Sequence, residues 1–327
     1  MRVVVTGGAG FIGRAVVGLL RARGDDVLAL VRDPGRAGYL QALGCDTVAC
    51  DLSDRAELVA LMAGADAVIH GAGSYRVGIP SSERPAMWDA NVGATERVLD
   101  AAIEAGVPRI VYVSTANTAG DTHGAIVDEA YRRDVREGFQ SWYDETKFRA
   151  HEAAQKRIAA GAPIVVVLPG TVYGRGDHTL IGDQIRLAYL GKLPYISFAE
   201  FGMTPVHVDD VAAGIVVALD RGTLGEAYAL PGAPMRVGAV TAAAARAGGK
   251  RPPRLTMPTF LLWPIAQLAP LLSRIGLSPP DLREALGYAR ATMWMGNERA
   301  QRELGWQPRD LATGVRDAFG GSWTAAG

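Results

Sequence analysis

Three glycines at fixed spacing, Gly7, Gly10 and Gly13, stand directly after the apolar run Val3-Val4-Val5 and directly before a segment in which Ile12, Val16 and Leu19 recur at helical intervals. A strand that must turn into a helix within a few residues, with no side chain at three points of the turn, leaves few folds open. Without Cβ atoms the backbone can turn tightly and bring amide groups at a helix N-terminus close to an anion. G-x-x-G-x-x-G in this setting is the pattern of a loop that holds the pyrophosphate of a dinucleotide. The strand before it and the helix after it separate it from an ordinary glycine-rich turn.

The rest of the first half keeps the alternation. Residues 26–31, 46–50, 66–70, 109–114 and 164–168 read as further strands. Helices are expected around 58–62, over 86–105, where Trp88, Val92, Thr95, Leu99 and Ala102 form one stripe, and over 139–160. Continuous apolar strands separated by helices predict an α/β fold, a Rossmann-type doubly wound parallel sheet covered on both faces. After Pro169 glycine and proline become dense, and the alternation survives only at 204–208, 211–219 and 227–230. Residues 1–170 and 204–232 are therefore assigned to a dinucleotide-binding domain. Residues 171–203 and 233–327 are assigned to a smaller, mostly helical substrate-binding lobe, with 297–318 as its helical close.

Charge excludes some classes of partner. Lys plus Arg and Asp plus Glu both number 34, so no net field favours nucleic acid or anionic lipid. The two cysteines, Cys45 and Cys50, make no disulfide framework and read as small buried residues. Arg2 leads straight into the first strand with no room for a signal peptide, so a reducing cytoplasm is expected. Residues 258–272 are strongly apolar but fall short of the about 20 residues needed to span a bilayer, and Pro264 and Pro270 would break a helix there. They are read as helices of the substrate lobe, with weak docking on a membrane surface as the second reading. The histidines, His70, His123, His151, His178 and His207, show no spacing that builds a metal site. His151 is expected to face solvent or a partner, and His207 to be structural.

The end of the second strand bears on the identity of the dinucleotide. NAD sites offer a carboxylate there for the ribose 2′-hydroxyl, whereas a 2′-phosphate needs a cation. Here Val31 holds the acidic place and Arg32 follows, so NADP is favoured over NAD. Asp33 either pairs with Arg32 or caps a helix beginning at Pro34.

Tyr143 and Lys147 stand four residues apart on one predicted helix, so their side chains emerge on the same face. A lysine cation beside a phenol favours the phenolate and is expected to bring its pKa toward the working range. The helix follows the fifth strand and can face the crevice at the strands' carboxyl ends.

Taken with other motifs, this pair resembles the short-chain dehydrogenase/reductase superfamily, extended type. The motifs are TGGAGFIG (6–13), Asp51-Leu52, HGAG (70–73), Asn91 in NVGAT, VST (113–115), Tyr143 with Lys147, LPGTVYG (168–174) and VHVDDVA (206–212). The resemblance implies that Gly7, Gly10, Phe11, Ile12 and Gly13 hold the pyrophosphate, Asp51 and Leu52 sit by the adenine, and Ala72 lies by the cofactor's central part. It implies that Thr115 hydrogen-bonds the substrate oxygen, Tyr143 exchanges the proton, and Lys147 grips the nicotinamide ribose. Pro169, Gly170 and Val172 would lie along the nicotinamide. Ser114 reads as no more than a strand-end hydroxyl. Family members commonly form homodimers through the helices corresponding to 86–105 and 139–160.

Within that family, Ala116-Asn117 replace the Asp-Glu pair of sugar-nucleotide dehydratases, and Met203-Thr204-Pro205 stand where many sugar-nucleotide enzymes carry an arginine. The nearest resemblance is to the dihydroflavonol-reductase-like group, together with bacterial relatives designated hopanoid-associated sugar epimerases. It rests on VLALVRDP (27–34), Ser74-Tyr75-Arg76 and VHVDDVAAG (206–214). The leading expectation is NADP-dependent reduction of a ketone or aldehyde on a small lipophilic or aromatic molecule. Phe260, Leu261, Leu262 and Trp263 supply the lipophilic element. An NAD-dependent sugar or sugar-nucleotide epimerase is the first alternative, and a non-catalytic dinucleotide-sensing regulator the second.

Overall fold

In a parallel sheet covered on both faces, successive side chains of each strand must enter opposite cores. The first strand shows this: Val3 and Val5 join one buried cluster and Val4 the other. The computed structural model describes residues 1–257 and 282–321. The chain runs β1 (Arg2–Thr6), α1 (Phe11–Ala22), β2 (Asp26–Val31), α2 (Gly38–Ala42), β3 (Asp46–Ala49), α3 (Arg55–Met62) and β4 (Ala67–His70). It continues through α4 (Arg84–Trp88), α5 (Ala94–Glu104), β5 (Ile110–Val113), α6 (Trp142–Ala159), β6 (Ile164–Pro169), β7 (Thr171–Tyr173) and α7 (Leu180–Tyr189). β8 (Gly202–Met203), β9 (Pro205–His207), α8 (Val208–Arg221), β10 (Ala227–Leu230), β11 (Met235–Arg236) and α9 (Val237–Ala247) follow.

Seven strands form one sheet in the order β10-β6-β5-β4-β1-β2-β3, every pair parallel. The chain order reverses between β1 and β4, which opens a crevice outside their carboxyl ends. Val17 and Leu20 of α1 and Ile215 and Leu219 of α8 fill the core on one face. Leu58, Leu99 and Ala154, from α3, α5 and α6, fill the other. A separate cluster of Tyr173, Ile185, Met203, Val240, Ala244, Val315 and Phe319 is built by α7, α9 and the closing helix Leu311–Phe319.

Two expected helices take different forms. The 86–105 segment is α4 and α5 joined by a π-helical turn, Asp89–Gly93. The wider turn shifts the helical phase, so Met87 is buried while Trp88, placed on the buried stripe by its spacing, is 37% exposed. The 297–318 close is broken at Gly305, which has φ 68°, into a π turn over Ala300–Leu304 and the helix Leu311–Phe319. Cys45 and Cys50 are free and buried. Among the described residues no helix is long and apolar enough to cross a membrane. The apolar segment 258–272, with Phe260 to Trp263, lies outside the described residues.

Candidate active site

The glycine loop is set by close backbone contacts. Gly7 has φ 75°, and a Cβ there would stand 2.6 Å from the amide nitrogen of Ala72; one on Gly13 would stand 2.1 Å from the Gly7 carbonyl oxygen. Substitution at either would push the loop off β4 or off the start of α1. No side chain caps α1, and its first turn holds no acidic residue. The first amides of α1, at Phe11, Ile12 and Gly13, thus keep their donors for an anion. The loop fits the pyrophosphate of a dinucleotide.

From this loop a buried polar chain runs to the first turns of α6. Thr6 Oγ1 lies 2.7 Å from His70 Nδ1, and His70 Nε2 lies 3.1 Å from Thr95 Oγ1. Thr95 donates its hydroxyl proton to the Asn91 carbonyl, at 2.6 Å. His70 must therefore donate through Nε2 and accept the Thr6 hydroxyl through Nδ1. Burial lowers its pKa to about 3, which keeps the ring neutral. The Asn91 side chain, in the π turn, accepts from Ser74 N at 2.6 Å and donates to Ser74 O at 3.0 Å and Thr146 Oγ1 at 2.9 Å. Thr146 in turn donates to the Tyr143 carbonyl at 2.9 Å.

Tyr143 and Lys147 lie on α6, with Ser141 as its N-cap. Thr115 follows β5 and caps the 3₁₀ turn Ala116–Ala119. Thr115, Tyr143 and Lys147 are 8%, 9% and 9% exposed. The Thr115 hydroxyl accepts from the Asn117 amide at 3.2 Å, and the Tyr75 ring meets that of Tyr143 edge to face at 4.7 Å. Lys147 Nζ donates to the Val113 carbonyl at 3.3 Å and sits 5.5 Å from the centre of the Tyr112 ring.

The electrostatics depart from the lysine-activated phenolate expected from spacing. Burial raises the Tyr143 pKa, and the neighbouring Tyr75, Tyr112 and Asp144 raise it further. Burial also lowers Lys147 to about 8. In this enclosed site desolvation outweighs the cation, and Tyr143 is a neutral phenol.

Arg32, just past β2, is exposed and has no ion-pair partner among the described residues. Asp33 caps the short 3₁₀ helix Pro34–Arg36, accepting from Gly35 N at 3.0 Å. Arg14, which the sequence did not single out, lies over the Tyr39 ring at 4.1 Å, and the Tyr39 hydroxyl donates to the Gly8 carbonyl at 3.1 Å. A second cation thus flanks the glycine loop. Asp51 is exposed, and its Oδ1 accepts from the amide and hydroxyl of Ser53. Leu52 takes the left-handed conformation with φ 66°. Ala72 donates its amide to Thr6 Oγ1 at 3.3 Å. Pro169 ends β6, and Val172 lies in β7. Gly170 packs so tightly that a Cβ would stand 2.3 Å from the Thr204 carbonyl oxygen.

Two polar residues have partners that their sequence positions did not announce. His151 is half-buried, not open to solvent: its Nδ1 lies 3.1 Å from Ser114 Oγ, and burial lowers its pKa to about 4. Ser114 is accordingly more than a strand-end hydroxyl. His207 is buried, and its Nδ1 accepts from Asp209 N at the start of α8. Among the described residues no group of three or more His, Cys, Asp or Glu side chains could hold a metal ion.

The sequence profile of the NAD dependent epimerase/dehydratase family matches residues 3–230. A 4-hydroxy-2-methyl-3-oxo-4-farnesyl-3,4-dihydroquinoline-1-oxide ketoreductase of Stigmatella aurantiaca is 31% identical over 315 residues, which cover 94% of this chain and 92% of the relative. A Synechocystis protein described as a dihydroflavonol 4-reductase is 30% identical over 322 residues, 96% of this chain and 92% of the relative. Among solved structures, that of gox2253 superposes with a TM-score of 0.81 at 32% identity, covering 97% of this chain and 96% of that one. Profile, relatives and fold agree on the family. The chain belongs to the NAD-dependent epimerase/dehydratase family, the extended short-chain dehydrogenase/reductases, and is an enzyme that works with a nicotinamide dinucleotide.

Proposed function

We propose that the enzyme reduces a ketone or aldehyde on a small lipophilic or aromatic molecule and takes NADP as its coenzyme. The observation that carries this reading is the burial of Thr115, Tyr143 and Lys147 together, Thr115 just past β5 and the other two on α6, with the Tyr75 ring against the phenol. A tyrosine phenol carries its proton at neutral pH, the state needed to protonate a carbonyl oxygen, and the raised pKa makes the Lys147 cation necessary to ease that proton's departure. The bound nicotinamide supplies the hydride.

In this reading Thr115 donates to the substrate oxygen, and Tyr143 passes its hydroxyl proton to that oxygen as negative charge develops there. The Lys147 cation then stabilises the phenolate left behind and holds the nicotinamide ribose. The amides around Gly10, Phe11, Ile12 and Gly13, beside the turn at Gly7, hold the pyrophosphate. Asp51 and Leu52 flank the adenine, Ala72 the central part, and Pro169, Gly170 and Val172 the nicotinamide. Arg32, with Arg14 beside the loop, gives the 2′-phosphate its counter-charge and supports NADP.

The substrate class rests on the surroundings of Tyr143. Ile79, Met87 and Trp142 pack with it, and the Tyr75 ring covers its edge. One of the two named relatives is described as a ketoreductase of a farnesylated dihydroquinoline oxide, the other as a dihydroflavonol reductase, and both names fit this class. Met203, Thr204 and Pro205 are buried and offer no cation to a nucleotide diphosphate, which weighs against the epimerase alternative. The division into a dinucleotide-binding domain (1–170, 204–232) and a substrate lobe (171–203, 233–327) is part of the same proposal, as are a cytoplasmic location and a homodimer. Exposed Trp88 and Ile103, on the helices expected to pair, support the dimer.

The test is turnover of NADPH with a panel of aromatic and aliphatic ketones, followed by nicotinamide absorbance. The expected result is ketone reduction that Tyr143→Phe abolishes. Conversion of a nucleotide sugar with none of any ketone would favour the epimerase. Binding of the dinucleotide with no turnover of any candidate would favour the regulator.

A further inference from the structure

The first turn of the helix that carries Tyr143 is held by residues from far along the chain. Glu284, on the short helix Leu282–Gly287, spreads its carboxylate over three donors. Oε1 accepts from the backbone amide of Trp142 at 3.1 Å and from Arg84 at 3.3 Å, and Oε2 accepts from the amide of Gly78 at 2.8 Å. The Glu284 side chain is 10% exposed. A carboxylate so enclosed is tolerated because three donors satisfy it, and a helix N-terminus favours negative charge. Beside it, the Tyr288 hydroxyl lies 2.7 Å from Ser141 Oγ, the cap of α6. Gly287 sits so close to Gln140 that a Cβ would stand 2.9 Å from its carbonyl oxygen. Residues 284–288 therefore straddle 140–142.

Each anchor of Glu284 leads toward Tyr143. Trp142 is its chain neighbour. Gly78 lies three residues after Tyr75 in the 71–80 loop, and the Tyr75 ring touches that of Tyr143. Arg84 closes the circuit, because its carbonyl accepts from Trp142 Nε1 at 3.1 Å.

We infer that Glu284 is a positioning residue. It ties the C-terminal part of the chain to the 75–78 loop and to the first turn of α6, so that the cleft over Tyr143 has its working shape only while residues 284–288 are docked. The inference rests on the reading of Tyr143 as proton donor.

The experiment compares full-length wild type with Glu284→Ala and Glu284→Gln by amide hydrogen exchange, NADPH titration and steady-state kinetics. In Glu284→Ala, exchange at the Gly78 and Trp142 amides is expected to quicken at least about tenfold as the local opening free energy falls. The kcat is expected to drop about tenfold or more while the NADPH Kd stays within about twofold, because the reacting group is misplaced and the glycine loop is untouched. Glu284→Gln keeps one acceptor oxygen, so it should free only one of the two amides and recover part of kcat; it also carries the test if the alanine variant does not fold. Unchanged exchange at both amides would overturn the inference. So would a lower Tm with kcat of the folded enzyme unchanged, since that is a purely structural role. If wild type reduces no ketone, the proposed function fails, and exchange at Gly78 and Trp142 still decides whether Glu284 holds these elements.

Discussion

Arg133 forks onto both carboxylate oxygens of Asp144, at 2.8 and 3.2 Å, with the two side chains 5% and 0% exposed. Asp144 follows Tyr143 directly, and its Oδ2 also accepts from Gln140 N at 3.0 Å. Arg133 lies against the Phe139 ring at 4.5 Å and donates to the Gly138 carbonyl at 2.9 Å. The pair fastens the loop before α6 to the turn that presents the phenol. Removing one partner strands a buried charge, so Arg133→Met or Asp144→Asn is expected to lower stability by about 3–5 kcal/mol in urea unfolding. The double variant Arg133→Met/Asp144→Asn should lose less than the two single variants combined. Simple additivity would refute the coupling.

Lys147 gives stability a pH dependence. Its folded pKa is about 8 against an ordinary 10.5, so between these values the unfolded chain binds a proton that the folded chain has released. Stability contributed at this position therefore rises with pH across that window, by an amount on the order of 3 kcal/mol. Urea unfolding of wild type and Lys147→Met from pH 7 to 10.5 should show wild type gaining on the variant as pH rises. Parallel curves would show that the amine is not desolvated as the structure implies.

The histidines should titrate in opposite senses. His70, sealed between Thr6 and Thr95, is expected to stay neutral with its proton on Nε2 throughout the range from pH 8 to 5. His123, exposed and bonded to Glu137, has its pKa raised by that carboxylate and should be charged at the acid end. Imidazole nitrogen shifts in NMR distinguish the two. Because the folded pKa of His70 lies below the ordinary 6.5, stability at this site is lost as pH falls through the interval between 6.5 and about 3. A His70 signal that moves together with that of His123 would contradict the assigned hydrogen-bond chain.

Coenzyme choice is expected to follow Arg32. Arg32→Ala should weaken NADPH binding by about tenfold to a hundredfold, the worth of a charge-assisted hydrogen bond, and leave NADH binding nearly unchanged. Fluorescence titration with both nucleotides measures this. Equal losses for the two would place the arginine away from the 2′ position.

The sequence made the sheet and the glycine loop legible because both rest on local demands: apolar continuity in β1, β2, β4, β5 and β6, and absent Cβ atoms at Gly7 and Gly13. The Tyr143 and Lys147 pair was visible as spacing, but its electrostatics were not, since spacing carries no information about burial. His151 was misplaced because eight residues of helix turn about 80° beyond two full turns, which puts it at the margin of the buried face rather than on the open side. Glu284 and Tyr288 left no trace at all. A hydrogen bond reaching from 284 to 142 has no period, and each residue taken alone resembles any polar position of a surface helix.

The π turn at Asp89–Gly93 divides one rod into two sectors facing different neighbours. Ahead of it, Met87 looks toward Trp142 and Tyr143; beyond it, Val98, Leu99 and Ala102 look into the packing beneath the sheet. An unbroken α-helix could not satisfy both directions, because a single winding fixes every side chain relative to the first. The surplus residue works as a gear change between the wall around Tyr143 and the scaffold, with Asn91 at its hub. Deleting one residue there would leave composition and helix length almost untouched and still turn Met87 and its neighbours away from the phenol. In this enzyme a one-residue deletion in the middle of a helix is thus expected to be more damaging than many substitutions in the cleft itself.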